Sequence, residues 1–272
     1  MNTALASPGP IIREWRSRRR MSQLDLALEA EISQRHLSFV ESGRARPSRE
    51  MVILIAERLG LPLRETNWLL LAAGYAPAFV ERDLEEPAMA PALAAVETVL
   101  RAQEPNPALA VDRHWNLVRA NDALAPFLER VADPKLLEPP VNVLRLSLHP
   151  DGIAPSIANL HEWREHLLDR LRRLNQAVAD PVLLELEKEL RGYPAPPQLH
   201  PPSRADYSPI AVPLRFRMGG AVLSFISTIT VFGTPLDVTL SELAIESFFP
   251  ADQDTALVMR QMAQARDQTR PG

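Results

Sequence analysis

The chain contains no cysteine, which excludes disulfides, thiolate-bound zinc and thiol nucleophiles. No apolar run approaches the ~18 residues that a membrane span requires. The first residues also lack the apolar core of a secretory signal, so a cytoplasmic protein with no membrane partner is expected. With only 10 glycines, no glycine-rich phosphate loop exists, and Gly219-Gly220 reads as a turn between strands. The 6 histidines are scattered. His161 and His166 stand five residues apart, about 140° around a helix, and cannot share a metal as an i, i+4 pair does. No serine sits in an elbow motif. We therefore expect neither metal, cofactor nor enzymatic activity. Lysine is nearly absent too, 2 against 28 arginines, a bias that concerns codons more than function.

What is present suits two domains. A length of 272 residues with 46% hydrophobic content can hold two cores. Residues 1–82 carry 12 arginines and 9 acidic residues, whereas the remainder carries an acidic excess. That asymmetry suits a basic head that meets phosphate and an acidic body that avoids it. The stretch YAPAFVERDLEEPAMAP has three prolines and no sustained period, so it reads as a linker. The expected layout is a head over residues 1–75, a linker over 76–91 and a second domain over 92–272.

The head is the most informative region. Ser22 can N-cap a helix with Leu24, Ala27 and Leu28 on one face, and Ser33 can cap a second short helix. In the second helix Leu37 and Val40 point inward, while Gln34, Arg35, His36 and Phe39 face outward. Gln and Arg have the forked donors and acceptors that read base edges in the major groove. Gly43 follows as a left-handed cap. The pattern resembles the XRE-type repressor domain, with Glu41-Ser-Gly43 ending one helix and Pro47-Ser48 opening the next. This resemblance implies an all-α domain of five helices, over 11–20, 23–30, 34–41, 49–59 and 63–73. It also implies that Gln23, Arg44 and Arg46 lie along phosphates, that Gln34, Arg35 and Phe39 approach bases, and that His36 faces the groove entrance. The partner it implies is double-stranded DNA.

The second domain opens with a strand-like run, Ala108 to Val111, a turn over Asp112 to Asn116, and a return strand to Ala120. Asn121 then caps a helix bearing Ala123, Leu124, Phe127 and Leu128. Residues 157–191 read as a helical pair, with Leu160, Trp163, Leu167, Leu168 and Leu171 in one stripe. Leu183, Leu184, Leu186 and Leu190 line the second helix, which starts at Asp180-Pro181. Residues 193–202 read as an irregular proline-rich segment. Ile210, Val212, Leu214 and Phe216 then share one strand face, Ala221 to Phe232 is a long strand, and Thr239 to Phe249 another. In that last strand Leu243, Ile245 and Phe249 should face opposite Glu242, Glu246 and Phe248. A final helix spans 252–265. These elements predict an α+β, PAS-like domain: a five-stranded antiparallel sheet with helices on one face.

The order Arg113-x-Trp115-Asn116, Asn121, then Asn142-Val-Leu-Arg145, Trp163 and Leu171-Arg172 resembles the C-terminal domain of MmyB-like regulators. That resemblance implies a sensor for fatty-acid-like ligands held between sheet and helices. Such a site needs an apolar tunnel and a cation for the carboxylate. Candidate walls are Leu117, Leu124, Phe127, Leu144, Trp163, Leu167, Phe216, Phe225 and Phe248, with the motif residues Trp115 and Asn121. Candidate head-group residues are Arg145 first, then Arg172 and Arg119. A homodimer would place two heads on a palindromic operator, with half-sites about 34 Å apart. The competing reading is a second domain that serves only dimerisation or partner recruitment.

Overall fold

The computed structural model describes residues 7–178, 180–194, 212–233 and 237–269. The chain divides into two compact units. The first runs to Asp83 and takes in a second stretch ending at Ser241; the other holds the rest.

The first unit is built on α1 (Pro8–Arg18), α2 (Gln23–Glu29), α3 (Gln34–Glu41), α4 (Arg49–Arg58) and α5 (Leu63–Ala72). Three serines start three of these helices. The hydroxyls of Ser22, Ser33 and Ser48 accept from the backbone N–H of Asp25, His36 and Met51, and the Asp25 carboxylate accepts from Ser22 N to complete a capping box. Ile12, Trp15, Leu26, Leu37, Val40, Val52, Ile55, Leu69 and Leu70 form the core. One expectation fails on α2: Leu24 and Leu28 are 49% and 69% exposed. Leu26, Ala27 and Ala30 turn inward instead. Both stripes share Ala27, and the hydrogen bond from Gln23 to Glu41 fixes which of them meets α3. Gly9 permits the closest approach in the head, because a Cβ there would stand 2.4 Å from the Glu41 carbonyl oxygen.

The second unit continues with α6 (Ala90–Ala102), β1 (Ala108–Val111), β2 (Leu117–Ala120), α7 (Ala125–Leu128), α8 (Val143–Leu148), α9 (Leu160–Val178) and α10 (Pro181–Gly192). After these come β3 (Leu214–Met218), β4 (Ala221–Val231), α11 (Val238–Ser241, part of the first unit), β5 (Ala244–Pro250) and α12 (Gln253–Thr269). The sheet is antiparallel in the order β2-β1-β5-β4-β3. Gly219 and Gly220, with φ of 58° and 85°, supply the positive dihedrals that a tight β3–β4 hairpin requires.

Several expectations need correction. The final strand starts at Ala244, not Thr239, because Asp237 accepts from Thr239 N at 2.9 Å and winds α11 ahead of it. Within β5, Glu246 is buried and Phe249 is 39% exposed, so the apolar-versus-charged alternation misassigned the faces. Helices cover both sides of the sheet: every β1 residue is buried, with Leu109 and Val111 in the large core and Ala108 and Ala110 alternating to the side where α6 packs. Leu184 is 53% exposed on α10. Ile210 and most of the proline-rich segment lie outside the described residues.

Asn121 precedes a short 3₁₀ turn but makes no side-chain cap. Its Oδ1 accepts from Ala108 N at 3.0 Å, and its Nδ2 donates to the carbonyls of Leu100 and Asn106 at 3.0 and 2.8 Å. A buried amide thus ties α6 to the first hairpin. Asn121→Ala should lower the second unit's stability by about 1–3 kcal/mol, since it strands two carbonyls and one N–H. Urea unfolding followed by circular dichroism would read this.

Candidate functional site

The candidate nucleic-acid interface is the outer face of α3 and the turn after it. Gln34 and Arg35 are exposed in its first turn. The Arg35 and Arg44 guanidinium carbons lie 5.4 and 5.7 Å from the Phe39 ring centroid, so two cations flank one aromatic ring. Gly43, at φ 75°, lets the chain turn back, and Arg44 N donates to the Phe39 carbonyl at 2.8 Å. His36 differs from its neighbours: its Nε2 is out of solvent and has no partner among the described residues. Arg46 has an internal role, donating to the Ala73 carbonyl at 3.1 and 3.3 Å and so capping α5.

Gln23 is held behind this face by a buried carboxylate. Glu41 lies in the last turn of α3, where the helix dipole disfavours an anion. Its Oε1 takes Arg16 Nε at 2.7 Å, and its Oε2 takes Arg16 Nη2 at 3.0 Å and Gln23 Nε2 at 2.8 Å. Burial alone would push the Glu41 carboxyl up. The hydrogen bonds from Arg16 and Gln23, with the charges of Arg16 and Arg13, outweigh burial and hold it below its ordinary range. Sequence reasoning missed this group. The available signal was a glutamate at the wrong end of a helix, with arginines nearby in α1.

In the second unit an apolar cavity of about 80 Å³ lies between the sheet and the helices. Eight of the nine expected wall residues line it: Leu117, Leu124, Phe127, Leu144, Trp163, Leu167, Phe225 and Phe248. Phe216 lies in the same core, its ring centroid 5.0 Å from that of Phe127, but outside the wall. Two polar side chains reach the lining, Ser147 and Glu246. The Ser147 hydroxyl accepts from Trp163 Nε1 at 3.1 Å.

The arginines expected to face this cavity are placed elsewhere. Arg145 makes a forked pair with Glu189, Nε to Oε1 and Nη2 to Oε2 both at 2.8 Å, and is 42% exposed. Arg172 pairs with Asp169 at the surface, and Arg119 with Glu97 on the edge strand. Asn121 is fully engaged with backbone. Trp115 is buried in the same core at φ 67°, and its indole N–H has no acceptor among the described residues. Beside it stands Arg170, whose guanidinium carbon lies 4.2 Å from the Trp115 ring centroid. Arg170 Nη1 donates to Glu246 Oε1 at 2.9 Å, while Nε and Nη2 are out of solvent and without partners among the described residues. Each such orphaned donor costs about 1–3 kcal/mol. Burial first, then the charges of Arg170 and Arg173, holds the nearby His166 imidazole below its usual value.

A helix-turn-helix head followed by a separate domain with an apolar cavity defines a ligand-sensing transcription regulator. The comparisons with known proteins agree. A helix-turn-helix family model matches residues 12–65, and the MmyB-like transcription regulator ligand binding domain matches residues 92–262. The chain belongs to this MmyB-like family. No curated protein matches it. No helix among the described residues is long and apolar enough to cross a membrane.

Proposed function

We propose that the protein is a sequence-specific regulator whose DNA affinity is set by a small apolar acid in the second unit. Gln34, Arg35 and Phe39 read bases, while Arg44 lies along the backbone and Gln23, whose Nε2 gives one hydrogen to Glu41, offers the other to a phosphate. Arg46 supports the fold and adds positive charge at the same edge. Two copies sit on a palindromic operator, and the ligand changes the balance between binding-competent and incompetent states by its differential affinity for them. The observation that carries this reading is the cavity walled by both sheet and helices, in a chain that also holds the reader.

The cavity's volume constrains the ligand. At about 80 Å³ the cavity is smaller than the ~150 Å³ apolar cavity that accommodates benzene. Its present walls therefore receive a short apolar chain, and a fatty acid of full length requires a wall to move outward.

Native mass spectrometry of the purified protein, followed by solvent extraction, tests the proposal. A co-purified acid, or a rise in unfolding temperature with one of butanoate, octanoate, dodecanoate or palmitate, is expected. If no acid is found and none raises the unfolding temperature, the sensor reading fails. The second domain would then serve dimerisation or partner recruitment.

A further inference from the structure

We propose that the segment Asp237–Ser241 is a releasable strap, docked on the head while the cavity is unfilled and released when a chain too long for the cavity enters. This inference rests on the reading of the second unit as a sensor and names the device that carries its signal to the head.

The connection between β4 and β5 is unlike a hairpin turn. The two strands pair to their ends, with Val231 opposite Ala244, and a few residues would suffice to join them. Instead the chain leaves the second unit at this point and lays α11 on the head, where it packs on α5. Val238 is fully buried there, and its N–H donates to the Val80 carbonyl at 2.8 Å. The Thr239 hydroxyl donates to the Arg82 carbonyl at 2.6 Å. One carboxylate has two tasks: Asp237 Oδ1 accepts from Thr239 N at 2.9 Å and starts α11, while Oδ2 takes Arg82 Nη1 at 3.0 Å. The Asp237 side chain is only 5% exposed.

A helix of four residues does not keep its shape alone, and a carboxylate that loses its cation does not stay buried. Helix, ion pair and Val238 burial therefore form and fail together, so the strap is either ordered on the head or released from it. Its exit strand is also a cavity wall. β5 runs from Ala244 through Glu246 and Phe248, which both line the apolar space, and β4, which leads into the strap, contributes Phe225. A chain that exceeds the cavity displaces this lining, and a shift at Phe248 passes along the strand to Ala244. At the other end, α5 is the helix whose Ala73 carbonyl is held by Arg46, from the turn behind the reading helix. Occupancy of the second unit and order in the head are thus joined through the backbone itself.

Hydrogen exchange of the whole chain, read by mass spectrometry on peptides that hold Val238 to Ser241, tests the strap. In the wild-type protein without ligand these amides should open while those of α1 and α4 stay closed. Dodecanoate should speed their exchange about tenfold, in the usual range of coupling between sites, and butanoate should not. Coupling is reciprocal, so a strap already loosened should favour the long acid. Asp237→Asn keeps the helix cap but loses the charge that holds Arg82. By calorimetry it should bind dodecanoate about five- to tenfold more tightly than the wild type, and butanoate equally. Asp169→Asn, which breaks a surface pair of the second unit, should change neither affinity. Strap amides that exchange only when the whole head unfolds overturn the strap, whatever the ligand does. Binding of dodecanoate with unchanged or slowed strap exchange also overturns it, and leaves the sensor reading in place. Failure of butanoate, octanoate, dodecanoate and palmitate to bind the wild type overturns the sensor reading and the strap's response together.

Discussion

Glu41→Ala should destabilise the head by about 3–5 kcal/mol, the usual cost of removing one partner from a buried ion pair. The Glu41 side chain is fully buried and that of Arg16 is only 13% exposed. The alanine variant therefore leaves a guanidinium without its counterion and Gln23 without its acceptor. It also removes the contact that orients α1 and α2 against the end of α3. Glu41→Gln, which keeps an acceptor, should lose less. The sign of the pH effect follows from the lowered carboxyl value. A depressed pKa adds stability that is fully present above the unfolded value, about 4.3 for glutamate. That stability is lost as pH falls through the folded value. The wild-type head should therefore weaken on acidification below about pH 4, and Glu41→Gln should lack that part of the slope. Hydrogen exchange of α1 and α3 amides at several pH values would measure both effects. Unchanged protection in Glu41→Ala would show that the pair does not hold the head together.

Arg35→Ala should weaken binding to a selected operator by about 1–3 kcal/mol, roughly ten- to hundredfold, if its fork meets a guanine edge. The duplexes for this test come from a randomised pool enriched by the wild-type protein. Arg44→Ala gives the contrast. As a backbone contact it should weaken all duplexes alike and reduce the salt slope by about one, whereas Arg35→Ala should relax preference at one base position. Phe39 links the two outcomes, since both cations stack on its ring and the loss of one leaves the other in place. Wild-type affinity and selectivity in Arg35→Ala, by gel shift at fixed salt, would refute base reading by this residue.

Features whose physics is local were legible in the sequence. Ser22, Ser33 and Ser48 announce helix starts because a cap is decided within four residues, and Gly219-Gly220 announces a hairpin for the same reason. The cavity walls were legible as well, since eight of the nine apolar side chains read as walls do line the cavity. Position along an element was harder. Leu24 and Leu28 form as good a stripe as Leu26 and Ala27, and what selects between them is packing against the other helices together with the contact of Gln23 with Glu41. Polar residues misled most. Glu246 reads as the solvent face of a strand, yet it is buried because Arg170 meets it from α9, far away in sequence. Arg170 did leave a trace: it stands two turns after Trp163 and one after Leu167, at a core position of an otherwise apolar stripe. Arg145 lacks such a position, and Glu189 on the neighbouring helix claims it at the surface.

The short helix α11 carries a consequence for how the head is made. Val238 is fully buried, its N–H donates to the Val80 carbonyl at 2.8 Å, and Asp237 pairs with Arg82 at 3.0 Å across 155 positions of sequence. All these residues belong to the head unit. A ribosome therefore finishes the five helices long before it supplies the piece that covers Val80 and Arg82, and the head is completed only once Ser241 has emerged. A fragment ending at Asp83 carries the reading helix but lacks that covering piece, so its stability understates that of the head in the whole chain.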